Sequence, residues 1–290
     1  MSDQSKGLLI TLVGVLLVVP DALFVRIIQA DPMTIAFWRL MLVGLGVALW
    51  FLIREGLAPF QAVLATRWYA LVYMVGVGAS GLLFVLAVSL TSVANVVFII
   101  AALPVFATIF SRIFLGEVVS PRMALTILVV IIGVAIIASG SGDHDETRLL
   151  GDLLALAVAA LFAAALTAAR CVRHVSMVPG MAMGYLIAAL LVLPFAAPFS
   201  VAPDSVPFVM AHAGFILGSS VMLALGPRYI TSAEVGLLIL LESTLAPLLA
   251  WLILKENPGS YAVVGGSIVI TALAVSNLWA LRRSGVRNRP

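Results

Sequence analysis

The chain has 290 residues, of which 63% are hydrophobic and only 10% charged, and its mean hydropathy is +1.21. Soluble domains carry about 25% charged residues, so a soluble enzyme, a disordered chain and a nucleic-acid binder are all excluded despite a pI near 9.4. A formal net charge of +3 at this low charge density fits a multispanning membrane protein whose few basic residues collect on one side.

A membrane-crossing helix needs about 20 mostly apolar residues. Cutting the chain where charges, Pro/Gly clusters and polar runs interrupt that length leaves ten segments. The first, Gly7–Ile28, follows Lys6; it is too long for a cleaved signal and is read as a retained span. It contains Pro20, which frees the carbonyl of Leu16, and then Asp21, about 10 Å from the end of the segment. The second, Met33–Ile53, carries Trp38 and places Arg39 about 9 Å below the same surface. Equal depth on adjacent antiparallel helices predicts an Asp21–Arg39 ion pair, either clamping the helix hairpin or gripping a substrate.

Next come Trp68–Val88, then Ser92–Phe114 with Asn95, Phe98 and Pro104, then Pro121–Ala138. Ser139–Leu150, opening on Gly and Ser and carrying Asp143, Asp145 and Glu146, reads as a linker. Beyond it lie Gly151–Arg170, Met181–Ala197 with Tyr185, Pro207–Leu225 with His212, Thr231–Ile253 with Glu242 and Pro247, and Ser260–Leu281. Glu242 lies about 16 Å from either end of its segment, with no basic residue clearly at that depth. A carboxyl there suits proton uptake and release or the gripping of an ammonium; a hydrogen-bonded structural Glu is the alternative. Glu234, close to the end of the same segment, can snorkel to the surface. Trp38, Phe84, Phe98, Tyr73, Tyr185 and Trp251 either wall a cavity or pack and anchor helices.

With the N-terminus inside, Lys6, Arg54, Arg67, Arg112, Arg122, Arg170, Arg173, Arg228 and the C-terminal arginines fall at cytoplasmic ends, whereas Arg148 and Lys255 fall outside. Both termini are therefore expected in the cytoplasm. Sliding the chain on itself by about 140 positions superposes its halves. Arg26 then meets Arg170, Ala94-Asn95-Val96 meets Ala233-Glu234-Val235, and Phe114-Leu115-Gly116-Glu117 meets Ile253-Leu254-Lys255-Glu256. Five spans per half is an odd number, so the second copy enters from the opposite side, as in the inverted repeats of secondary transporters.

The run Thr91-Ser92-Val93-Ala94-Asn95 through Ala102-Leu103-Pro104 to Leu115-Gly116-Glu117, with the glycine-rich span around Gly133, resembles the EamA-type domain of the drug/metabolite transporter superfamily. Gly151-Asp152-Leu153-Leu154-Ala155-Leu156 is similar to the opening of that domain's second copy, and Ala233-Glu234-Val235-Gly236 to Pro247 continues the likeness across nearly the whole chain. The resemblance implies ten helices in two five-helix repeats and export or exchange of small metabolites through a central cavity. Val19-Pro20-Asp21 stands where the family has a Trp-Gly pair, and Lys255 replaces the Gly of the second Leu-Gly-Glu.

The reading is thus an all-α membrane protein of ten transmembrane helices in two inverted repeats, residues 1–140 and 151–290 joined by a periplasmic linker at 141–150. The expected activity is secondary transport by alternating access in a bacterial inner membrane. The expected partners are a small-molecule substrate, the lipid bilayer and protons as a candidate coupling ion, with no nucleic acid. Glu242, Asp21, Arg39, Asn95, Trp38, Phe98 and Tyr185 are the candidate substrate-binding residues, and an amino acid or related zwitterion is the first candidate substrate. The alternatives are a proton-coupled organic-cation or drug exporter, and an intramembrane hydrolase using Gly78-Ala79-Ser80-Gly81 with His212. Cys171 is the single cysteine, so no intrachain disulfide forms, and no cofactor or metal motif is present.

Overall fold

In the computed structural model, which describes residues 3–116, 118–142, 146–225, 229 and 232–287, every long apolar segment is helical. Glu117, Asp143, Asp145, Arg228, Thr231 and Arg289 lie outside the described residues, as do the side chains of Ala233, Glu234, Val235, Gly236, Arg282, Arg283 and Arg287.

The first span is broken into α1 (Asp3–Val18) and α2 (Asp21–Ile27) at Pro20, which cannot donate to Leu16; bonding resumes with Phe24 N–H to the Pro20 carbonyl at 2.9 Å. Asp31 caps α3 (Pro32–Glu55) by accepting from Met33 N–H at 2.8 Å, and Pro32 occupies the first turn, where its missing donor costs nothing. A short helix, α4 (Ala58–Ala65), fills the connection that the sequence left as loop. After α5 (Trp68–Leu90) the fourth span is again two pieces, α6 (Val93–Ile100), capped by Ser92, and α7 (Leu103–Leu115), with Pro104 in its first turn. Gly116 ends α7 at φ +68°, the left-handed conformation that a residue without Cβ adopts freely.

The expected linker is largely helical. α8 (Pro121–Gly142) continues through Ser139, whose hydroxyl donates back to the Ile136 carbonyl at 2.8 Å, and α9 (Glu146–Cys171) begins with an acid in its first turn, where the helix dipole favours one. By contrast the seventh span is shorter than expected. α10 (Val178–Val192) stops five residues before Ala197, and Pro194, Pro198 and Pro203 each sit in a single 3-10 turn before α11 (Val206–Leu225). α12 (Ser232–Leu254) runs unbroken through Pro247, unlike the spans holding Pro20 and Pro104, and α13 (Ser260–Arg287) follows it. Among the described residues nine helical spans are long and apolar enough to cross a membrane, and Leu238–Leu254 of α12 is a shorter apolar helix that makes a tenth.

The two ends of the bundle are named here by what they carry: the linker end, where α8 meets α9, and the terminal end, where α1 starts and α13 finishes. The helices pair between halves. α5 packs on α9, α8 on α13, α3 on α10 and α1 on α11. Small residues let the backbones approach: a Cβ on Gly184 would stand 2.5 Å from the Met74 carbonyl oxygen, and one on Gly265 would stand 2.5 Å from that of Gly133. The largest buried cluster, with Ala22, Val25, Val85, Val88, Val96 and Ala155 among its members, lies around the half-helices α2 and α6.

Candidate functional site

The break at Pro20 starts α2 with Asp21 facing inward at 4% exposure. Arg39, in the linker-end half of α3 and 7% exposed, grips it with both arms of its fork: Nε donates to Oδ1 at 3.1 Å and Nη2 to Oδ2 at 2.7 Å. The geometry is the bidentate arrangement that makes an Arg–carboxylate pair directional as well as attractive. Sequence reasoning expected this pair but missed its third member. His212 of α11 is 1% exposed and sets Nε2 2.6 Å from Asp21 Oδ1, with its ring stacked on Phe24 at 5.4 Å. The signal was available, because His212 lies six residues into α11, about 9 Å deep, the depth of Asp21 and Arg39.

Around Arg39 the cage continues. Its guanidinium lies 5.4 Å from the centre of the Phe84 ring and within electrostatic reach of Tyr185 of α10, and its Nη1 is buried without a hydrogen-bond partner among the described residues. A Cβ on Gly81 would stand 3.3 Å from Arg39 Nη1 and 2.8 Å from Leu40 Cδ2, so the absence of a side chain there makes room for the guanidinium. Glu242, on α12, is half-buried and within electrostatic reach of Asp21, and its carboxyl has no hydrogen-bond partner among the described residues. Three of the candidate charges thus gather in one region, with Tyr185 beside them.

The other candidates are held differently. Trp38 donates from Nε1 to the Pro198 carbonyl at 3.0 Å and packs edge-on against Phe37. Phe98 is buried against Gly266 of α13, where any Cβ would collide with its ring. Asn95 lies toward the linker end with its amide on both oxygens of Asp152, at 3.1 and 3.2 Å. The hydrolase pairing has no geometric support: the Ser80 hydroxyl donates to the Val77 carbonyl, and His212 is engaged by Asp21.

Ten apolar helices in two inverted five-helix halves, with a buried charge cluster where helices of both halves meet, define a multi-pass membrane transporter of small molecules. The chain belongs to the EamA-like transporter family, whose model matches it twice, at residues 5–139 and 149–278. Eighteen chains of solved structures are similar to it. One, described only as "Crystal structure of protein", has a TM-score of 0.64 and 20% identity over 96% of this chain and 98% of its own, a likeness of fold. Among curated proteins none matches the sequence.

Proposed function

We propose that the protein is a secondary transporter that exports or exchanges an amino acid or a related zwitterion across a bacterial inner membrane, with both termini cytoplasmic. In this reading the units 1–140 and 151–290 rock about a site near the bilayer centre, and Glu242, Asp21, Arg39, Trp38 and Tyr185 face the substrate, with Asn95 and Phe98 bordering it on α6. The observation that carries it is the carboxyl of Glu242, without a hydrogen-bond partner among the described residues, within electrostatic reach of a neutralised Asp21–Arg39 pair. A zwitterion brings one charge of each sign and leaves such a site neutral overall, which matters where desolvation is costly. Protonation of Glu242 changes the charge the site presents, so a carrier that binds in only one protonation state ties transport to pH.

A second reading, an exporter of organic cations, is favoured by the same lone carboxylate if Arg39 stays locked on Asp21. Counterflow of radiolabelled L-amino acids in proteoliposomes, run beside uptake of tetraphenylphosphonium, separates the two. Under an imposed pH gradient, Glu242→Gln is expected to abolish transport or its pH dependence. Wild-type rates with unchanged pH dependence in that variant, or the lack of any amino acid flux in the wild type, would overturn the zwitterion reading.

A further inference from the structure

At the linker end five polar residues and the Val93 N–H converge on the joint between α5 and α6. Glu256, in the connection from α12 to α13, accepts from Val93 N–H at 2.7 Å through Oε1 and holds Oε2 3.5 Å from Arg26 Nε. Arg26, near the end of α2, donates from Nη2 to the Thr91 carbonyl at 2.7 Å. Asp152, in the second turn of α9, accepts from Thr91 Oγ1 at 2.8 Å and from the Asn95 amide. Arg26, Thr91, Val93 and Asn95 belong to the first half of the chain, Asp152 and Glu256 to the second. Every contact made by the two carboxylates therefore crosses between halves. Arg26, Thr91, Asn95 and Glu256 line a polar pocket of about 660 Å³ that also takes in Arg148, Asn257 and Tyr261.

We propose that Glu256 and Arg26 are the linker-end gate of the transporter, the bonds that close this end of the substrate route and break when the halves rock apart. The inference rests on the alternating-access reading and adds to it the residues that do the closing. Burial separates the Arg26–Glu256 pair from the central cluster, whereas Asp152, at 3% exposure, is as dry as Asp21 and holds Thr91 and Asn95 as a structural contact. Asp21 and Arg39 are both in the first half and their side chains are 6–7% exposed, so parting them strands charges in a dry interior. Arg26 and Glu256 have side chains 30% and 22% exposed beside a polar pocket, so water is at hand to take both charges when they part. Short directional bonds with ready solvation hold one geometry firmly and release it at small cost. The contacts also meet where the chain can bend. Thr91 and Ser92 join two helices, and α6 is a half-helix whose far end breaks again at Ala101–Ala102. Pulling on Val93 and Asn95 therefore moves α6 without unwinding a full span, and α6 carries Phe98 toward α13.

The test is a distance measurement in lipid nanodiscs that needs neither substrate nor flux, so its failure is distinguishable from failure of the transport reading. Spin labels are placed at exposed Gln29→Cys and Ser260→Cys in a Cys171→Ser background, spanning the gate between halves. Glu256→Gln keeps an acceptor for Val93 N–H but removes the charge facing Arg26. It is expected to raise the ratio of long to short distances roughly three- to tenfold, the range for a partly exposed pair with one charge-assisted bond. Arg26→Gln is expected to do the same, and the double variant little more, because both single changes remove one interaction. Lys255→Gln, an equal loss of charge next door, should leave the distribution unchanged. Identical distributions in the wild type, Glu256→Gln and Arg26→Gln overturn the gate, as does an equal shift from Lys255→Gln.

Discussion

Removing one partner of the Asp21–Arg39 pair has a cost that the geometry orders in advance. In Asp21→Asn the amide retains the shape and one acceptor, but the guanidinium, 7% exposed, loses its counter-ion and both ionic bonds. Breaking a buried pair in this way costs about 3–5 kcal/mol, because an uncompensated charge stays behind. In Arg39→Gln the stranded group is the Asp21 carboxylate, which keeps His212 Nε2 at 2.6 Å. A charge with one remaining partner is less exposed to that penalty, so Arg39→Gln should cost less than Asp21→Asn by about 1.5–3 kcal/mol, the worth of one hydrogen bond to a charged group. Asp21→Asn with Arg39→Gln leaves two neutral amides that can pair, and the double variant should be more stable than the sum of the singles by about 2–3 kcal/mol. Reversible unfolding in mixed detergent micelles, monitored by tryptophan fluorescence and extrapolated linearly, gives all four corners of the cycle. Additivity within about 0.5 kcal/mol would show that the two residues are energetically independent despite their contact, and the ion pair would lose its place at the centre of the site.

Gly184→Leu should push α10 away from α5, because even a Cβ there meets the Met74 carbonyl at 2.5 Å; a loss of about 2–3 kcal/mol in the same unfolding assay is expected, and a neutral result would contradict the close approach. Thr34→Val removes the hydroxyl that accepts from Ala197 N–H at 2.9 Å, so amide exchange over 196–201 should quicken with little change elsewhere, read by mass spectrometry. A cysteine placed at Ser141 in a Cys171→Ser background should react with a membrane-impermeant thiol reagent in intact cells, and labelling only after lysis would reverse the proposed orientation.

Ten spans were legible because lipid allows few solutions: a long apolar run has to be a helix whatever its neighbours are. The breaks at Pro20 and Pro104 were legible for the same local reason, since a missing donor is written in the residue itself. Pro247 obeys the same rule yet leaves α12 continuous, so whether a proline parts a helix or is absorbed by it depends on packing that one segment does not contain. The Asp21–Arg39 pair followed from depth along neighbouring helices. His212 has the same depth, but α11 is remote in sequence, and nothing local says that it sits against α2. The gate was hidden for a related reason. Glu256 occurs in a recognisable run, but its partners Val93 and Arg26 lie in the first half of the chain, 163 positions and more away, and only the intertwining of the halves brings them together.

That intertwining bears on how the protein is made. The main partners of α1, α3, α5 and α8 are α11, α10, α9 and α13, all encoded in the second half. At about 5–20 residues per second, a ribosome takes roughly 10–30 s to deliver the remaining 150 or so residues after α8 has emerged. Throughout that interval the first five spans sit in lipid with the surfaces around Gly76, Gly78 and Gly133 facing acyl chains instead of helices, and Asp21 without His212. The nascent chain therefore passes through an obligatory stage in which its small-residue faces are open to any other helix in the membrane. A first half expressed alone would leave the same faces open permanently and is expected to associate with other membrane helices.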